Sequence, residues 1–328
     1  MHAFLKEAGL VSTDDYWAEP LTGGVASDIW KIVTTEKVVV VKRALARLRV
    51  SQVWEAPVSR NASEVEWMLE AARIAPEAVP TILAHDPGRN MYAMSYLDPI
   101  SFPVWKQQLR NGPANPAFAA QIASVLAQIH SETAGRRDIA ARFANDDVFF
   151  QLRIEPYLEA VARVHEDLRV PIAKVVDSVT GTKQSLVHGD ISPKNILCGP
   201  DGPIILDAEC AWYGEPAFDL AFCLNHLLLK CLWAPTQRDG LMRCFETFYR
   251  TYLARSAWPG SENLEARAAA LLPVLFLARV DGKSPVEYLV RDDDRARVRR
   301  TARALIQSAP TNLGEIAEAW NRELDADG

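Results

Sequence analysis

Residues 186–195 read LVHGDISPKN, and residues 204–207 read IILD. Between these stretches, a short apolar run at 196–198 precedes GPDGP at 199–203, and glycine and proline at this density are typical of a tight loop. Apolar runs on both sides of such a loop predict a β-hairpin. Several side chains that can handle protons or metal ions therefore come within reach of one hairpin.

The two ends of the predicted hairpin carry oxygen donors. A loop centred on Asp201 places Asn195 opposite Asp207, because residues equally far from the centre of a hairpin face each other. Mg²⁺ prefers oxygen ligands and takes one or two of them from protein, while phosphate oxygens and waters complete its octahedron. The sequence therefore predicts that Asn195 and Asp207 bind one magnesium ion. Asp190 is left as a base that orients or deprotonates a substrate hydroxyl, which is the pattern of a phosphoryl-transfer site.

These residues resemble the catalytic loop of the aminoglycoside phosphotransferase and choline kinase-like family, distant relatives of the protein kinases. The spacing from Asp190 to Asn195 matches that loop. Gly189 stands where protein kinases usually carry arginine, and Ala208 and Glu209 replace the Phe-Gly that follows their metal-binding aspartate. The resemblance is therefore to the branch that phosphorylates small molecules.

The resemblance continues through residues 211–221 and 278–285 and covers nearly the whole chain. It implies an α+β, two-lobed protein-kinase-like fold. The small N-terminal lobe, residues 1–97, would contain an antiparallel sheet and a helix, and the larger, mainly helical C-terminal lobe would span 98–328. The family also implies ATP and Mg²⁺ as cofactors. Its acceptors are small molecules with a hydroxyl group: aminoglycosides, amino alcohols or sugar-like metabolites.

A loop with two glycines precedes the first predicted hairpin of the N-terminal lobe, which runs from 29 to 42. Gly23, Gly24 and Ser27 lie in this loop, where backbone N–H groups can approach phosphates. Two glycines are also common in an ordinary turn, and the three-glycine pattern of the protein kinases is missing. The position of the loop before the strand pair favours a contact with the nucleotide.

Lys42 ends a run of four valines and is the candidate for binding the α- and β-phosphates. Its partner is expected on the helix predicted at 61–73, where Glu64 and Glu66 are both eligible. Residues two apart on a helix differ by roughly 200° in direction, so only one of them can face the lysine. By resemblance the partner is Glu64, because the family's glutamate sits four residues before an apolar residue, here Met68.

The adenine site is expected where the sheet ends. By resemblance, backbone groups of Ser95, Tyr96 and Leu97 hydrogen-bond the base, with Val40 above the ring and Leu197 below it. Taken by themselves, these apolar residues fit an ordinary core equally well.

Composition excludes several classes of protein. The chain has 328 residues and a net charge of −6, without a long run of Lys or Arg, which excludes a nucleic-acid-binding surface. The N-terminus lacks an apolar core of signal-peptide length and no apolar run approaches a membrane span, so we expect a cytoplasmic protein without a membrane partner. Five cysteines without a Cys-x-x-Cys pair predict buried thiols rather than disulfides or a zinc site.

Two other functions use the same residues. A metal-dependent phosphoester hydrolase could employ His188, Asp190 and Asp207, although such sites commonly hold two metals with more histidine ligands, and the chain has only six histidines. A nucleotide-binding regulatory protein without catalysis is the other alternative, but every catalytic position carries a competent residue.

Three structural predictions complete the analysis. Asp219, at the start of an apolar helix, is expensive to bury unpaired and is expected to accept N–H bonds from the turn at 188–189. Residues 146–180 are expected to form two helices that, by family analogy, help to line the acceptor pocket. The sequence SPVE at 284–287 has the pattern of a capping box with proline at the first helical position.

Overall fold

The computed structural model describes residues 1–12, 15–21, 27–47 and 57–326. The strands of its N-terminal part are β1 (Trp17–Pro20), β2 (Ser27–Val33), β3 (Val38–Ala44), β4 (Ile82–Asp86) and β5 (Met91–Ser95). They form an antiparallel sheet in the order β1-β2-β3-β5-β4. Two helices accompany this sheet, α1 (His2–Glu7) and α2 (Arg60–Ile74).

The alternation of side chains along β3 separates the core of the sheet from the site. The β-branched residues of this strand favour extended backbone, and Val39 and Val41 are buried in a cluster with the apolar residues of α1. Lys42 points to the opposite face, because successive side chains of a strand alternate. The register places Lys42 between Ile29 on β2 and Tyr92 on β5. The lysine is therefore held in the middle of the sheet, on the face away from α1.

The C-terminal part is mainly helical. Its helices are α3 (Trp105–Asn111), α4 (Pro116–Thr133), α5 (Arg137–Arg142), α6 (Asp146–Phe149), α7 (Ala160–Val164), α8 (Arg169–Gly181), α9 (Ala217–Trp233), α10 (Arg238–Arg255), α11 (Leu264–Asp281), α12 (Asp292–Ser308) and α13 (Leu313–Asp325). Nearly all of α9 is buried, and it packs against both α10 and α11. Among the described helices, none is long and apolar enough to cross a membrane.

Two short antiparallel strand pairs carry the site. β6 (Ser185–Val187) pairs with β9 (Trp212–Gly214), and β7 (Ile196–Cys198) pairs with β8 (Pro203–Ile205). The hairpin predicted around residue 201 is thus confirmed. Its position between β6 and β9 in the chain places the segments 188–195 and 206–211 side by side.

The register of this hairpin differs from the prediction by one residue. Ile196 pairs with Ile205, so Asn195 lies opposite Leu206, whose N–H donates to the Asn195 carbonyl at 2.9 Å. The reason is the loop, which closes through a bond of 2.9 Å from Gly199 N–H to the carbonyl of Gly202 and leaves Pro203 inside the strand. The expectation that Asn195 and Asp207 are directly opposed was therefore wrong. Asp207 comes one residue later and has a φ of 69°, which turns the chain away from the strand direction.

The region 146–181 contains two helical segments, as predicted. The first is continuous from α6 through a π-helical stretch, Phe150–Glu159, into α7, and the second is α8. Pro156 lies inside the π-helical stretch. A proline removes one backbone donor, and π-helical turns accommodate such a break while widening the helix.

The helix start predicted at 284–287 was wrong, because α12 begins only at Asp292. Ser284 does not cap a helix. Its carbonyl and its hydroxyl accept hydrogen bonds from Arg279 Nη1, at 2.5 and 3.3 Å. The N–H of Val286 donates to the carbonyl of Arg279 at 2.9 Å. Contacts with the end of α11 therefore override the local capping signal.

Candidate active site

Lys42 is the centre of a buried cluster of carboxylates. Its Nζ lies 2.8 Å from Glu64 Oε1, 2.5 Å from Asp207 Oδ1 and 2.9 Å from Glu209 Oε1. Burial lowers the pKa of Lys42, but these three carboxylates outweigh it and hold that pKa well above its ordinary value. The lysine is therefore a permanent cation in the site.

The pairing of Lys42 with Glu64 rather than Glu66 is confirmed. Glu64 is buried, whereas the side chain of Glu66 is 46% exposed and binds Arg142 Nη2 at 2.9 Å on the other side of α2. Burial raises the pKa of Glu64 against the opposing effect of the Lys42 ammonium, and the carboxylates of Glu209 and Asp207 raise it further. Three carboxylates that share one ammonium therefore compete for it.

Glu209 holds three elements together. It accepts hydrogen bonds from Ser27 Oγ at 2.6 Å and Arg60 Nε at 2.8 Å, besides its contact with Lys42. These contacts account for Glu209 as a residue that orients the segment after Asp207. Ser27, expected near the phosphates, is buried with its hydroxyl on Glu209, and its contact with a nucleotide stays a prediction. Gly23 and Gly24 lie outside the described residues.

The catalytic loop is anchored from below by Asp219. Its carboxylate accepts the N–H groups of His188 and Gly189, both at 2.7 Å, which confirms the role predicted for it. His130 Nε2 lies 3.2 Å from the same carboxylate. Gly189 has a φ of 79°, and a Cβ there would lie 2.8 Å from the carbonyl oxygen of Cys210. Only glycine fits this turn without strain.

His188 is a structural residue of the loop. Its Nδ1 accepts the N–H of Asp190 at 3.0 Å, so Nε2 carries the proton and donates to the carbonyl of Leu206 at 3.1 Å. The edge of the ring packs on Trp67 at 4.7 Å between centroids. Burial lowers the pKa of His188 and keeps the ring neutral. Because both ring nitrogens are engaged, His188 is not a metal ligand, which removes a key residue of the hydrolase alternative.

Asp190 is held through one of its two carboxylate oxygens. Asn195 Nδ2 donates to Oδ2 at 2.9 Å, and Arg153 Nη2 and Lys194 Nζ lie 3.1 and 3.2 Å from it. No described residue donates a hydrogen bond to Oδ1. Burial raises the pKa of Asp190, but Lys194 and Arg153 outweigh it, so the pKa lies below its usual value. The carboxylate is ionised at neutral pH and has one oxygen available to a substrate hydroxyl.

Sequence reasoning missed two basic residues of the site. Lys194 belongs to the quoted loop but received no role, although its position four residues after Asp190 was a usable signal. The sequence around Arg153 does not indicate a role at the site, because this residue lies in the π-helical stretch, far from Asp190 in the chain. Its Nε donates to the carbonyl of Gly189 at 2.5 Å and its Nη1 to that of Leu152 at 2.7 Å, which fixes the guanidinium beside Asp190.

The two predicted metal ligands have the chemistry that Mg²⁺ requires. Asn195 Nδ2 donates hydrogen bonds to the carbonyl and the carboxylate of Asp190, and no described residue donates to Asn195 Oδ1. The side chain of Asp207 is 39% exposed, and its only described hydrogen bond is from Lys42 to Oδ1. Burial raises the pKa of Asp207, but Lys42 and Lys194 outweigh it and hold the pKa well below its usual value. An amide oxygen and an ionised carboxylate are a suitable donor pair for Mg²⁺.

A second set of oxygens could hold a cation in principle. One oxygen each from Glu64, Asp207 and Glu209 lie within 4.8 Å of one another. The Lys42 ammonium contacts all three carboxylates. A cation of the protein therefore already lies at this set and balances one of its three negative charges.

The residues expected around adenine lie at the edge of the sheet. Ser95 is the last residue of β5. Its N–H donates to the carbonyl of Thr81 at 2.9 Å, and its Oγ accepts the N–H of Thr81 at 3.1 Å. Tyr96 and Leu97 are partly exposed. Leu197 is nearly buried on β7. Because the N–H of Ser95 already has a partner, Tyr96 and Leu97 are the residues left to donate to a base, and all four roles stay predictions.

A model of the family described as "Phosphotransferase enzyme family" matches residues 17–264. A methylthioribose kinase of Pectobacterium carotovorum is 28% identical over 305 residues, covering 80% of this chain and 75% of that protein. A methylthioribose kinase of Bacillus cereus is 23% identical over 282 residues, covering 76% of this chain and 70% of that protein.

Solved structures of other kinases share the fold. An ethanolamine kinase of Plasmodium vivax has a TM-score of 0.58 at 14% identity, covering 93% of this chain and 88% of that one. The amicoumacin kinase hAmiN has a TM-score of 0.56 at 13% identity, covering 95% of each chain. These similarities confirm the α+β, protein-kinase-like fold. Because the family model covers well over half of the sequence, the chain belongs to the phosphotransferase enzyme family and is an ATP-using kinase of a small molecule with a hydroxyl group.

Proposed function

We propose that the chain transfers the γ-phosphoryl group of ATP to a hydroxyl of its acceptor with Asp190 as the base. The observation that carries this proposal is the state of the Asp190 carboxylate. Asn195 donates a hydrogen bond to Oδ2 and the cations of Arg153 and Lys194 pair with the same oxygen, which leaves Oδ1 available to a hydroxyl. The base accepts the proton of the acceptor hydroxyl as its oxygen bonds to the γ-phosphorus and the bond to ADP breaks.

Basic residues on two sides of Asp190 complete the arrangement. Lys194, with Nζ 3.2 Å from Asp190, is in position to stabilise negative charge on the group being transferred. Lys42 binds the α- and β-phosphates from the sheet, held by Glu64. Arg153 acts as a positioning residue, because it fixes both the carboxylate of Asp190 and the carbonyl of Gly189.

We assign the metal to Asn195 and Asp207, whose amide and carboxylate oxygens suit Mg²⁺. When bound, the ion neutralises charge on the phosphates of the nucleotide. For the nucleotide itself, we assign Gly23, Gly24 and Ser27 to the phosphates. The remaining proposed contacts, to adenine, are made by Ser95, Tyr96, Leu97 and Leu197.

Two further assignments follow the same reasoning. We place the boundary between the lobes at Leu97, two residues after the sheet ends at Ser95, which gives lobes of 1–97 and 98–328. We also assign the protein to the cytoplasm. The five cysteines are free thiols, four of them buried, as expected in a reducing compartment.

The acceptor is proposed to be a sugar-like metabolite rather than an aminoglycoside. The support is that relatives similar to this chain over most of its length are named methylthioribose kinases. We therefore place methylthioribose first among the acceptors to be tested for ADP formation above the background reaction with water.

Asp190→Asn tests the proposal directly. The amide cannot act as a base, and we expect kcat to fall about 10²- to 10⁴-fold, as is usual for the loss of a general base. The affinity for ADP with Mg²⁺, measured by titration calorimetry, should be retained. Asp201→Asn is the matched control, because Asp201 is exposed in the hairpin loop and should leave kcat unchanged. Undiminished turnover in Asp190→Asn would overturn the assignment of the base.

A further inference from the structure

A group of basic side chains lies beside the catalytic loop, and the mechanism above does not use it. We define the basic cluster as Lys230, Arg279 and His226. Arg279 Nη1 donates to the hydroxyl of Tyr157 at 3.0 Å, and the ring of Tyr157 lies 5.7 Å from the guanidinium of Arg153. Since Arg153 contacts Asp190, the cluster is separated from the proposed base by two side chains.

Among the described residues, neither Lys230 nor Arg279 has an anionic hydrogen-bond or ion-pair partner. Arg279 donates only to the neutral oxygens of Tyr157 and Ser284. Lys230 Nζ lies 4.7 Å from the ring centroid of Trp233 and 4.4 Å from that of Tyr288. Within the part of the chain that the structure describes, no carboxylate comes within ion-pair distance of either side chain. Yet Lys230 and Arg279 are only 1% and 8% exposed.

Nearby carboxylates are already engaged. Glu287 pairs with Lys106, and Asp190 is shared by Arg153 and Lys194. Burial and the surrounding cations lower the pKa of His226 far below its ordinary value, and among those cations Arg279 and Lys230 have the largest effect. Burial, with the charge of Lys106, lowers the pKa of Lys230 to about 7. Buried cations without counter-charges are costly, and proteins retain them where a ligand supplies the charge.

Unpartnered polar atoms accompany the cluster. Among the described residues, Arg279 Nε and the hydroxyl of Tyr288 are buried and have no hydrogen-bond partner. The rings of Trp233 and Tyr288, between which Lys230 lies, also line an open pocket of about 680 Å³ with Lys106, Arg110 and Glu287. The cluster thus combines the Arg279 guanidinium, a lysine that a bound anion would hold protonated, and two unpartnered polar atoms. The opening beside it is lined by the two rings that flank Lys230, not by Lys230 or Arg279 themselves.

We propose that the acceptor of this kinase carries an anionic group, a carboxylate or a phosphate, beside the hydroxyl that is phosphorylated. This inference rests on the proposed function and narrows its acceptor from sugar-like metabolites in general to anionic ones. Neutral methylthioribose, proposed from sequence similarity, then serves as a comparison acceptor. Lys230 and Arg279 bind the anionic group and Tyr288 donates a hydrogen bond to it, while the hydroxyl reaches Asp190. A cationic acceptor such as an amino alcohol or an aminoglycoside is disfavoured, since the carboxylates of Glu287 and Asp190 are already paired with cations.

The experiment compares matched acceptors that differ in charge. Ribose, ribonate and ribose 5-phosphate are tested with ATP and Mg²⁺ beside glucose, gluconate, glucose 6-phosphate and glucosamine, scored by ADP formation above the water background. We expect at least a 10-fold higher kcat/KM for the anionic member of a set than for its neutral parent, and background rates for glucosamine. A comparison of kcat/KM for ribonate and gluconate with kcat/KM for the two sugar phosphates shows whether the preferred anionic group is a carboxylate or a phosphate.

Substitutions of Lys230 and Arg279 test whether the preference for anionic acceptors comes from the basic cluster. Lys230→Met keeps an apolar side chain between the two rings, and Arg279→Gln removes the second charge. Each is expected to raise KM for the anionic acceptor at least 10-fold while KM for ATP stays within twofold. Arg300→Gln is the control, because Arg300 is 60% exposed and pairs with Glu323 on the far helix α13. Circular dichroism and thermal unfolding verify that each variant is folded.

A binding measurement makes the inference testable without turnover. Ribonate and ribose 5-phosphate are titrated into the chain saturated with ADP and Mg²⁺, and the shift of the unfolding temperature is compared with that produced by ribose. A shift for the anion alone that Lys230→Met abolishes supports the inference. Equal shifts for ribose and its anions, an unchanged shift in Lys230→Met, or preferred transfer to neutral or cationic acceptors overturns it and leaves the proposed function standing. ADP formation that is the same in wild type and Asp190→Asn contradicts the proposed function itself.

Discussion

Lys42 Nζ lies 2.5 Å from Asp207 Oδ1, so the lysine assigned to the phosphates binds the carboxylate assigned to the metal. Glu64 and Glu209 contact the same ammonium. Under the assignments proposed above, a nucleotide with its metal supplies phosphate oxygens to Lys42 and a cation to Asp207. We infer that binding of this complex replaces the contact between Lys42 and Asp207.

Asp207→Asn should uncouple nucleotide binding from the metal. The amide lacks the negative charge that Mg²⁺ requires, so we expect the affinity for ADP with Mg²⁺ to fall at least about 10-fold, or about 1.4 kcal/mol. The affinity for ADP in the presence of a chelator should change by less than threefold. Titration calorimetry with and without Mg²⁺ measures both values. Equal losses under the two conditions would argue against Asp207 as a ligand.

Glu64→Gln should weaken the use of ATP, because the amide removes the negative charge that faces Lys42 and leaves Asp207 and Glu209 as its anionic partners. Weakening a hydrogen bond to a charged group costs up to about 1.5–3 kcal/mol, which predicts a decrease in kcat/KM for ATP of up to roughly 10- to 100-fold. Glu66→Gln is the matched control on the same helix, since Glu66 binds Arg142 on its outer side. If both variants lose activity equally, the buried ion pair has no special role.

Gly189→Ala should destabilise the catalytic loop. A left-handed backbone costs an L-residue roughly 1–2 kcal/mol, and the new Cβ would overlap the carbonyl of Cys210. We expect the free energy of unfolding to fall by at least that amount in urea, together with a loss of turnover. Gly181→Ala is the control, because no atom lies within 4 Å of a Cβ at that position. A stability equal to wild type would mean that the loop relaxes freely.

Lys230 should make stability depend on pH. Its pKa in the folded chain is lowered to about 7, against about 10.4 in an unfolded chain. Between these values the unfolded chain holds a proton that the folded one has lost, so the free energy of unfolding rises with pH, by up to about 1.4 kcal/mol per unit. This contribution is complete above pH 10 and is lost as the pH falls through 7.

Urea denaturation from pH 7 to 10 checks this dependence. The slope should be shallower in Lys230→Met than in wild type, and Lys174→Met, at an exposed position on α8, should keep the wild-type slope. Parallel curves for wild type and Lys230→Met would show that the folded chain retains the proton on Lys230.

Local patterns in the sequence were sufficient for much of the site. The glycine and proline loop predicted the hairpin, and the four valines before Lys42 predicted its strand. Because an unpaired carboxylate is unfavourable in a protein interior, Asp219 was predicted to accept hydrogen bonds from the turn at 188–189, and the structure contains them. These features depend on interactions within a few residues or on the strict rule that a buried charge needs partners.

The hairpin register and the start of the helix after residue 284 could not be predicted from local patterns, because single hydrogen bonds decide them. The hairpin register follows from the bond between Gly199 and Gly202, which shortens the loop by one residue and moves Asp207 past Asn195. The capping pattern at 284–287 failed because Arg279 binds the oxygens of Ser284. In both cases a specific hydrogen bond overrode the preference of the local sequence.

The sequence by itself determined the order of the chemical groups: a strand lysine, a helical glutamate, and a loop and hairpin with the base and metal donors. Only the tertiary structure decided which charges meet across long separations. Arg153 reaches Asp190 from the π-helical stretch, and Lys230 and Arg279, on α9 and α11, are buried without an ion pair to any carboxylate of the described residues. The reason is physical: local backbone preferences act over a few residues, whereas the balance of buried charge depends on which helix faces pack together.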